Sequence, residues 1–270
     1  MKILNTRFTV SWLAAAALGT SVLAGAHSSK VGYTVGDKTF EAVVAMPQAA
    51  PKATVFIIHD WNGLDDYEIK RASMLADLGY RAVALDLFGT EAQLNGFEDY
   101  RRESGALYAD RAEFRARIAA GIAASSEGAE REFLAGYCFG GAAVLESARA
   151  GMDLDGFISF HGGLGTPEGQ DYSQTKGEVL LLHGSADPVS KMGDLASLLT
   201  QLTEANVAHS ATVYGGARHS FTIEGSRDYD QNAEQKSWSA FIAFLDSASA
   251  SLQGRYGRRG WGKVPVAPFS

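Results

Sequence analysis

Hydrophobic positions fall into two alternating rhythms along this chain. Ala53-Thr54-Val55-Phe56-Ile57-Ile58 is a continuous apolar run, the pattern of a strand covered on both faces. Arg81 to Leu85, Phe133 to Ala135, Gly156 to Phe160, Glu178 to Leu182 and Ser210 to Tyr214 read as further strands. Between them lie helical stretches. Asp65 or Asp66 caps one that turns Ile69, Met74, Leu75 and Leu78 inward and closes at Gly79. Residues 90–128 are helical and charge-rich, and Arg101, Arg102, Arg111, Arg115 and Arg117 read as a solvated face. A helix from about Gly140 to Arg149 stops at Gly151, and Leu195, Leu198, Leu199 and Leu202 have i, i+3, i+4, i+7 spacing. A last helix packs Trp238, Phe241, Ile242 and Leu245. Val31–Val35 and Thr39–Met46, joined across Gly36-Asp37-Lys38, read as an antiparallel edge hairpin. Strands alternating with helices predict a mostly parallel sheet with helices on both faces.

The two ends depart from this pattern. Lys2 and Arg7 precede an apolar stretch from Phe8 to Leu23, and Ala24-Gly25-Ala26 fits a cleavage site. Residues 1–26 therefore read as a signal peptide, which predicts export, to the periplasm in a Gram-negative bacterium and outside the cell otherwise. Sixteen residues that include Ser, Thr and Gly are short for a spanning helix, so no membrane association is expected after cleavage. Residues 254–270, with Arg255, Arg258, Arg259 and Lys263 among glycines and prolines, read as a tail. One domain, 27–253, lies between. Losing the leader moves the formal charge from −7 to −9, which argues against a nucleic-acid partner.

Chemistry concentrates where strands end. Cys138, the only cysteine, sits in Gly136-Tyr137-Cys138-Phe139-Gly140, a strand–turn–helix sequence that places a nucleophile on a tight turn. With no second cysteine, an internal disulfide and a dithiol redox role are excluded. A buried structural thiol and a surface thiol that forms intermolecular disulfides are the alternatives. Asp187 and His219 also follow strands, and the order Cys138, Asp187, His219 is nucleophile, acid, histidine. A thiol needs an imidazole within reach to take its proton, and the imidazole needs a carboxylate to fix its tautomer. A helix starting at Phe139 adds partial positive charge beside the sulfur. The oxyanion formed on attack would be met by the backbone N–H groups of Phe139 and Trp61. His59, His161 and His183 end strands beside tight turns and read as structural. No metal-ligand spacing or cofactor motif is present, so neither is expected.

On His59-Asp60-Trp61-Asn62-Gly63, Asp86-Leu87-Phe88-Gly89, Gly136 to Gly141, His183 to Pro188 and Tyr214 to Phe221, the chain resembles the dienelactone hydrolase family of α/β-hydrolases. The resemblance covers nearly all of the region after the leader. It implies an α/β-hydrolase fold, hydrolysis of a small ester or lactone, Cys138 as nucleophile, His219 as base and Asp187 as its orienter. It also implies a thiol-activating carboxylate at Asp60. Two positions depart from the family pattern. Asp60 stands where Glu is usual, one methylene shorter, so its contact with sulfur is lost or passes through water. Ile223 stands where the enzyme acting on dienelactones carries an arginine for the substrate carboxylate, so a neutral ester is expected to be preferred. A hydrolase-like scaffold that binds a ligand or partner without catalysis is the competing function.

Overall fold

The computed structural model describes residues 27–127 and 131–256, with side chains over 28–127 and 131–248. The expected leader and the tail beyond 256 lie outside the described residues. In chain order the elements are β1 (His27–Val35), β2 (Lys38–Met46), β3 (Thr54–Ile58), α1 (Asp66–Asp77), β4 (Arg81–Leu85), α2 (Phe97–Ala109), α3 (Arg111–Ser125), β5 (Glu132–Tyr137), α4 (Phe139–Arg149), β6 (Gly156–Phe160), β7 (Glu178–Gly184), α5 (Met192–Glu204), β8 (His209–Tyr214) and α6 (Gln231–Tyr256). The eight strands form one sheet in the order β1-β2-β4-β3-β5-β6-β7-β8. The β1–β2 and β2–β4 pairings are antiparallel and the remaining pairs parallel, which is the expected α/β architecture with an edge hairpin.

The apolar runs are continuous because both faces of the central strands are covered. Phe56 and Ile58 belong to one core, with Phe114 and Ile118 of α3, Val144 and Leu145 of α4 and Leu195 and Leu198 of α5. Val55 and Ile57 belong to the other, with Ala72 and Leu75 of α1 and Phe241 and Leu245 of α6. Strand order reverses at β3, whose neighbours are β4 on one side and β5 on the other. In open sheets of this kind a crevice forms at the carboxyl ends of the strands at that reversal.

Several expectations are corrected. Asp65 is the cap of α1, but Leu78 is exposed, and the inward face carries Glu68, Arg71 and Ala72 beside Leu75. The arginines of 90–128 divide. Arg101 and Arg102 are solvated and pair with Glu98 and Asp99. Arg111 and Arg115 instead reach the fully buried Glu146, which also takes Arg149. Arg117 is buried and donates to the Leu87 carbonyl at 2.7 Å. These cations neutralise a carboxylate inside α4 and pin α3 to the sheet. α6 runs to Tyr256, so the first three residues of the expected tail are helical.

Candidate active site

The turn after β5 carries the first component. Cys138 has φ 52° and ψ −109°, a backbone conformation that is strained for any side chain but glycine. It is fixed from both sides, by its N–H to the Phe160 carbonyl at 3.1 Å and by its carbonyl accepting from Ala142 at 3.2 Å. The turn also requires backbones in near contact. A Cβ on Gly140 would lie 2.2 Å from the Ile58 carbonyl oxygen, and one on Gly136 would lie 2.3 Å from that of Gly140. Glycine at both positions lets α4 start directly behind β5.

Asp187 and His219 converge on the sulfur. His219 Nε2 lies 3.0 Å from Cys138 Sγ, and Nδ1 lies 2.8 Å from Asp187 Oδ2. The other Asp187 oxygen accepts the N–H groups of Val189 at 2.7 Å and Ser190 at 3.1 Å, which locks the carboxylate in place. Burial alone would depress the His219 pKa. The hydrogen bonds and charges of Asp187 and Cys138 overcome that and raise it to about 10. For Asp187, burial opposes ionisation, but its bonds to His219 and to the two N–H groups hold its pKa below the usual range. Cys138 is half-buried beneath the imidazole. The geometry allows one proton to pass between sulfur and imidazole.

Trp61 follows β3, and Phe139 opens α4. Neither backbone N–H has a protein acceptor among the described residues, as required of groups that are to bind an incoming oxyanion. Trp61, Phe139, Cys138 and His219 share a cavity of about 560 Å³. Its walls are mainly apolar, with Phe97 of α2 and Val189 of the acid loop standing at the rim, both more than half exposed.

Asp60 is brought to the site but not to the sulfur. Its Oδ1 accepts the Asn62 N–H at 2.9 Å, and no hydrogen bond links it to Cys138. The shorter side chain makes no direct hydrogen bond to the sulfur. Burial pushes its pKa up to about 6, the nearby Asp65 adds to that, and the Asn62 N–H and His219 oppose it. Because the folded value lies above that of a free carboxyl, ionised Asp60 costs stability above pH 6. That cost shrinks as pH falls to about 4. Asp60→Asn is expected to raise stability at pH 8 by about 1–3 kcal/mol, with the gain vanishing near pH 4. Urea denaturation at the two pH values measures it, and an equal effect at both would contradict the assignment.

The three strand-end histidines are buried, as expected of structural groups. His59 donates from Nδ1 to the Asp60 carbonyl and accepts the Leu87 N–H at Nε2, so it ties the ends of β3 and β4 together. His183 bonds the Ser190 carbonyl. His161, with φ 38°, bonds Thr222 Oγ1 and packs edge-on against His219, with ring centroids 5.5 Å apart.

Sequence reasoning missed Tyr108 and Arg227. Tyr108 of α2 lines the cavity from a partly exposed position, and desolvation of its hydroxyl, with a smaller contribution from Cys138, raises its phenol pKa. Arg227 reaches the cavity from the loop after His219, whereas Ile223 does not line it. Arg227 is solvated and paired with Asp228, which also takes Arg218 at 2.9 Å. No signal in the sequence marks either residue, since one lies on an amphipathic helix and the other in an irregular loop. No group of three or more His, Cys, Asp or Glu suited to a metal ion occurs among the described residues.

Sheet order, crossover pattern and the position of these groups at the strand ends together define an α/β-hydrolase. Residues 40–249 match the dienelactone hydrolase family, to which the chain belongs, and it is an ester- or lactone-cleaving hydrolase. It is 24% identical to a Saccharolobus solfataricus protein carrying the name carboxymethylenebutenolidase, over 82% of this chain and 98% of that one. The crystal structure of a dienelactone hydrolase-like promiscuous phosphotriesterase from metagenomic libraries superposes with a TM-score of 0.77 at 30% identity, covering 83% of this chain and 99% of the other. A Klebsiella pneumoniae protein carrying the name dienelactone hydrolase shares the fold, with a TM-score of 0.67 at 19% identity over 82% and 98% of the two chains.

Proposed function

We propose that this hydrolase is exported and cleaves small neutral esters or lactones through Cys138, His219 and Asp187. The 3.0 Å approach of His219 Nε2 to Sγ, with Asp187 bonded to the other ring nitrogen, carries this reading. In the reacting form His219 holds the proton at Nε2 and donates it to the sulfur across the 3.0 Å contact. Sγ attacks the substrate carbonyl carbon, a C–S bond forms, and the oxygen takes the negative charge opposite the Trp61 and Phe139 N–H groups. The C–O bond then breaks, and the leaving alkoxide takes the Nε2 proton. Water gives a proton back to His219 as it attacks the thioester, which releases the acid and restores the sulfur. Asp187 stays ionised and holds the ring orientation throughout. Residues 1–26 support export.

The substrate preference rests on the cavity's apolar wall and on Arg227. That guanidinium stands in solvent and is already engaged by Asp228, so it makes a weak clamp for a substrate carboxylate. A buried charge-assisted contact is worth about 1.5–3 kcal/mol, and forgoing one costs roughly ten- to a hundredfold in kcat/KM. A neutral aryl ester is therefore expected to exceed a carboxylate-bearing dienelactone by that factor, and Arg227→Ala should change the ratio less than about threefold. Comparing both substrates on wild type and variant tests this. A dienelactone preference that collapses in Arg227→Ala would show Arg227 to be a clamp after all.

A further inference from the structure

Glu68 is a second carboxyl group near the site, and the mechanism above does not use it. As the third residue of α1 it completes a capping box, in which Oε2 accepts the Asp65 N–H at 3.4 Å and Asp65 accepts from the helix in return. A glutamate in that role ordinarily lies in solvent, yet Glu68 is 1% exposed. Its other oxygen, Oε1, accepts the Asp60 N–H at 3.2 Å. One side chain thus grips both ends of the loop from Asp60 to Asp65, and Trp61 is the second residue of that loop.

The same loop is tied by the Asn62 N–H to Asp60 and by the Asn62 side chain to Asp65 at 2.7 Å. Both of these bonds lie within the loop, and the Trp61 ring packs edge-on against Phe97 and Tyr100 of α2. The grip of Glu68 connects the loop to α1, and that of His59 connects it to the strand ends. Among the described residues no cation pairs with Glu68. Burial and the neighbouring Asp60 and Asp65 carboxylates push its pKa well above the usual range. Burying a carboxyl group beside two other carboxylates is costly, and what Glu68 gains in return is its hold on two backbone N–H groups, both of this loop.

We propose that Glu68 is a positioning residue for the oxyanion hole, its buried carboxyl fixing the Asp60–Asp65 loop so that the Trp61 N–H stays aimed into the cavity beside Cys138. This rests on the reading of Cys138 as the nucleophile and of Trp61 as an oxyanion donor. Removing a whole oxyanion donor costs roughly a hundred- to a thousandfold in kcat, and a displaced donor costs part of that.

The test uses Glu68→Gln and Glu68→Ala with p-nitrophenyl acetate as substrate and iodoacetamide as a second probe. Iodoacetamide alkylates sulfur by direct displacement, with no oxyanion to stabilise. Glu68→Ala is expected to lower kcat roughly ten- to a hundredfold with KM within about threefold of wild type. Glu68→Gln keeps one acceptor for the Asp60 N–H and should lose only about three- to tenfold. Alkylation rates of Cys138 should stay within about twofold in both. Should Glu68→Ala fail to fold, the isosteric Gln variant decides. Unchanged kcat in the folded variants overturns the proposal, and so does an equal fall in turnover and alkylation, which would mean general distortion of the site. A wild-type protein inactive on esters would instead overturn the proposed function itself.

Discussion

Cys138→Ala is expected to lower ester turnover at least about ten-thousandfold while leaving the fold intact. The size follows from the cooperative geometry. With the sulfur gone, His219 has no nucleophile to protonate or deprotonate, and the oxyanion donors act only on a water molecule. The residual rate is then that of a binding site with a charged imidazole in it. The fold should be unaffected because Cys138 contributes its backbone to the turn, through the bonds to Phe160 and Ala142, and those bonds survive in alanine. Alanine does inherit the left-handed conformation, at a cost of about 1 kcal/mol that cysteine already bears. Asp187→Asn should fall nearly as far, since asparagine no longer fixes the tautomer at Nδ1. Steady-state turnover on an activated aryl ester, read beside circular dichroism, checks both. Activity in Cys138→Ala within tenfold of wild type would move the chemistry elsewhere.

The second large effect is one of packing. Gly140→Ala is expected to destabilise the protein by about 3 kcal/mol or more and to lower turnover over a hundredfold in whatever still folds. The new methyl group would lie 2.2 Å from the Ile58 carbonyl oxygen and 2.6 Å from that of His59. Both obstacles are backbone at the end of β3, so no rotamer change relieves them. Either α4 backs away from the sheet, taking the Phe139 N–H with it, or the end of β3 shifts and moves Asp60 and Trp61. The fold and the oxyanion hole are coupled at this contact. Thermal unfolding and kcat measured on the same preparation test the coupling, and a variant with wild-type stability and turnover would refute it.

Much of this architecture was legible because its signals are local. β3, β4 and β6 are five-residue, mainly apolar segments, the pattern of a strand buried on both faces. Cys138, Asp187 and His219 were legible because each follows a strand, and parallel strands bring their carboxyl ends to one edge. What the sequence concealed depends on long-range pairing. Arg111 and Arg115 look like solvated helix charges until the buried Glu146 of α4, some thirty residues away, is seen to need them. Glu68 looks like an ordinary cap residue, and its second bond to Asp60 appears only when α1 folds back over the end of β3. Arg227 sits in a loop with no period to reveal its direction. Asp60 was recognised from its place in the loop, but the Asn62 N–H claims its carboxylate.

In the proposed mechanism Cys138 carries a covalent acyl intermediate, and that intermediate can be trapped. The protein would be mixed with excess p-nitrophenyl acetate, acid-quenched within the first turnovers, digested and examined by mass spectrometry. An acetyl group on the peptide containing Cys138, formed at the rate of p-nitrophenol release and labile to hydroxylamine, is the expected result. Sustained turnover with no acyl group on Cys138 at any quench time would contradict the account.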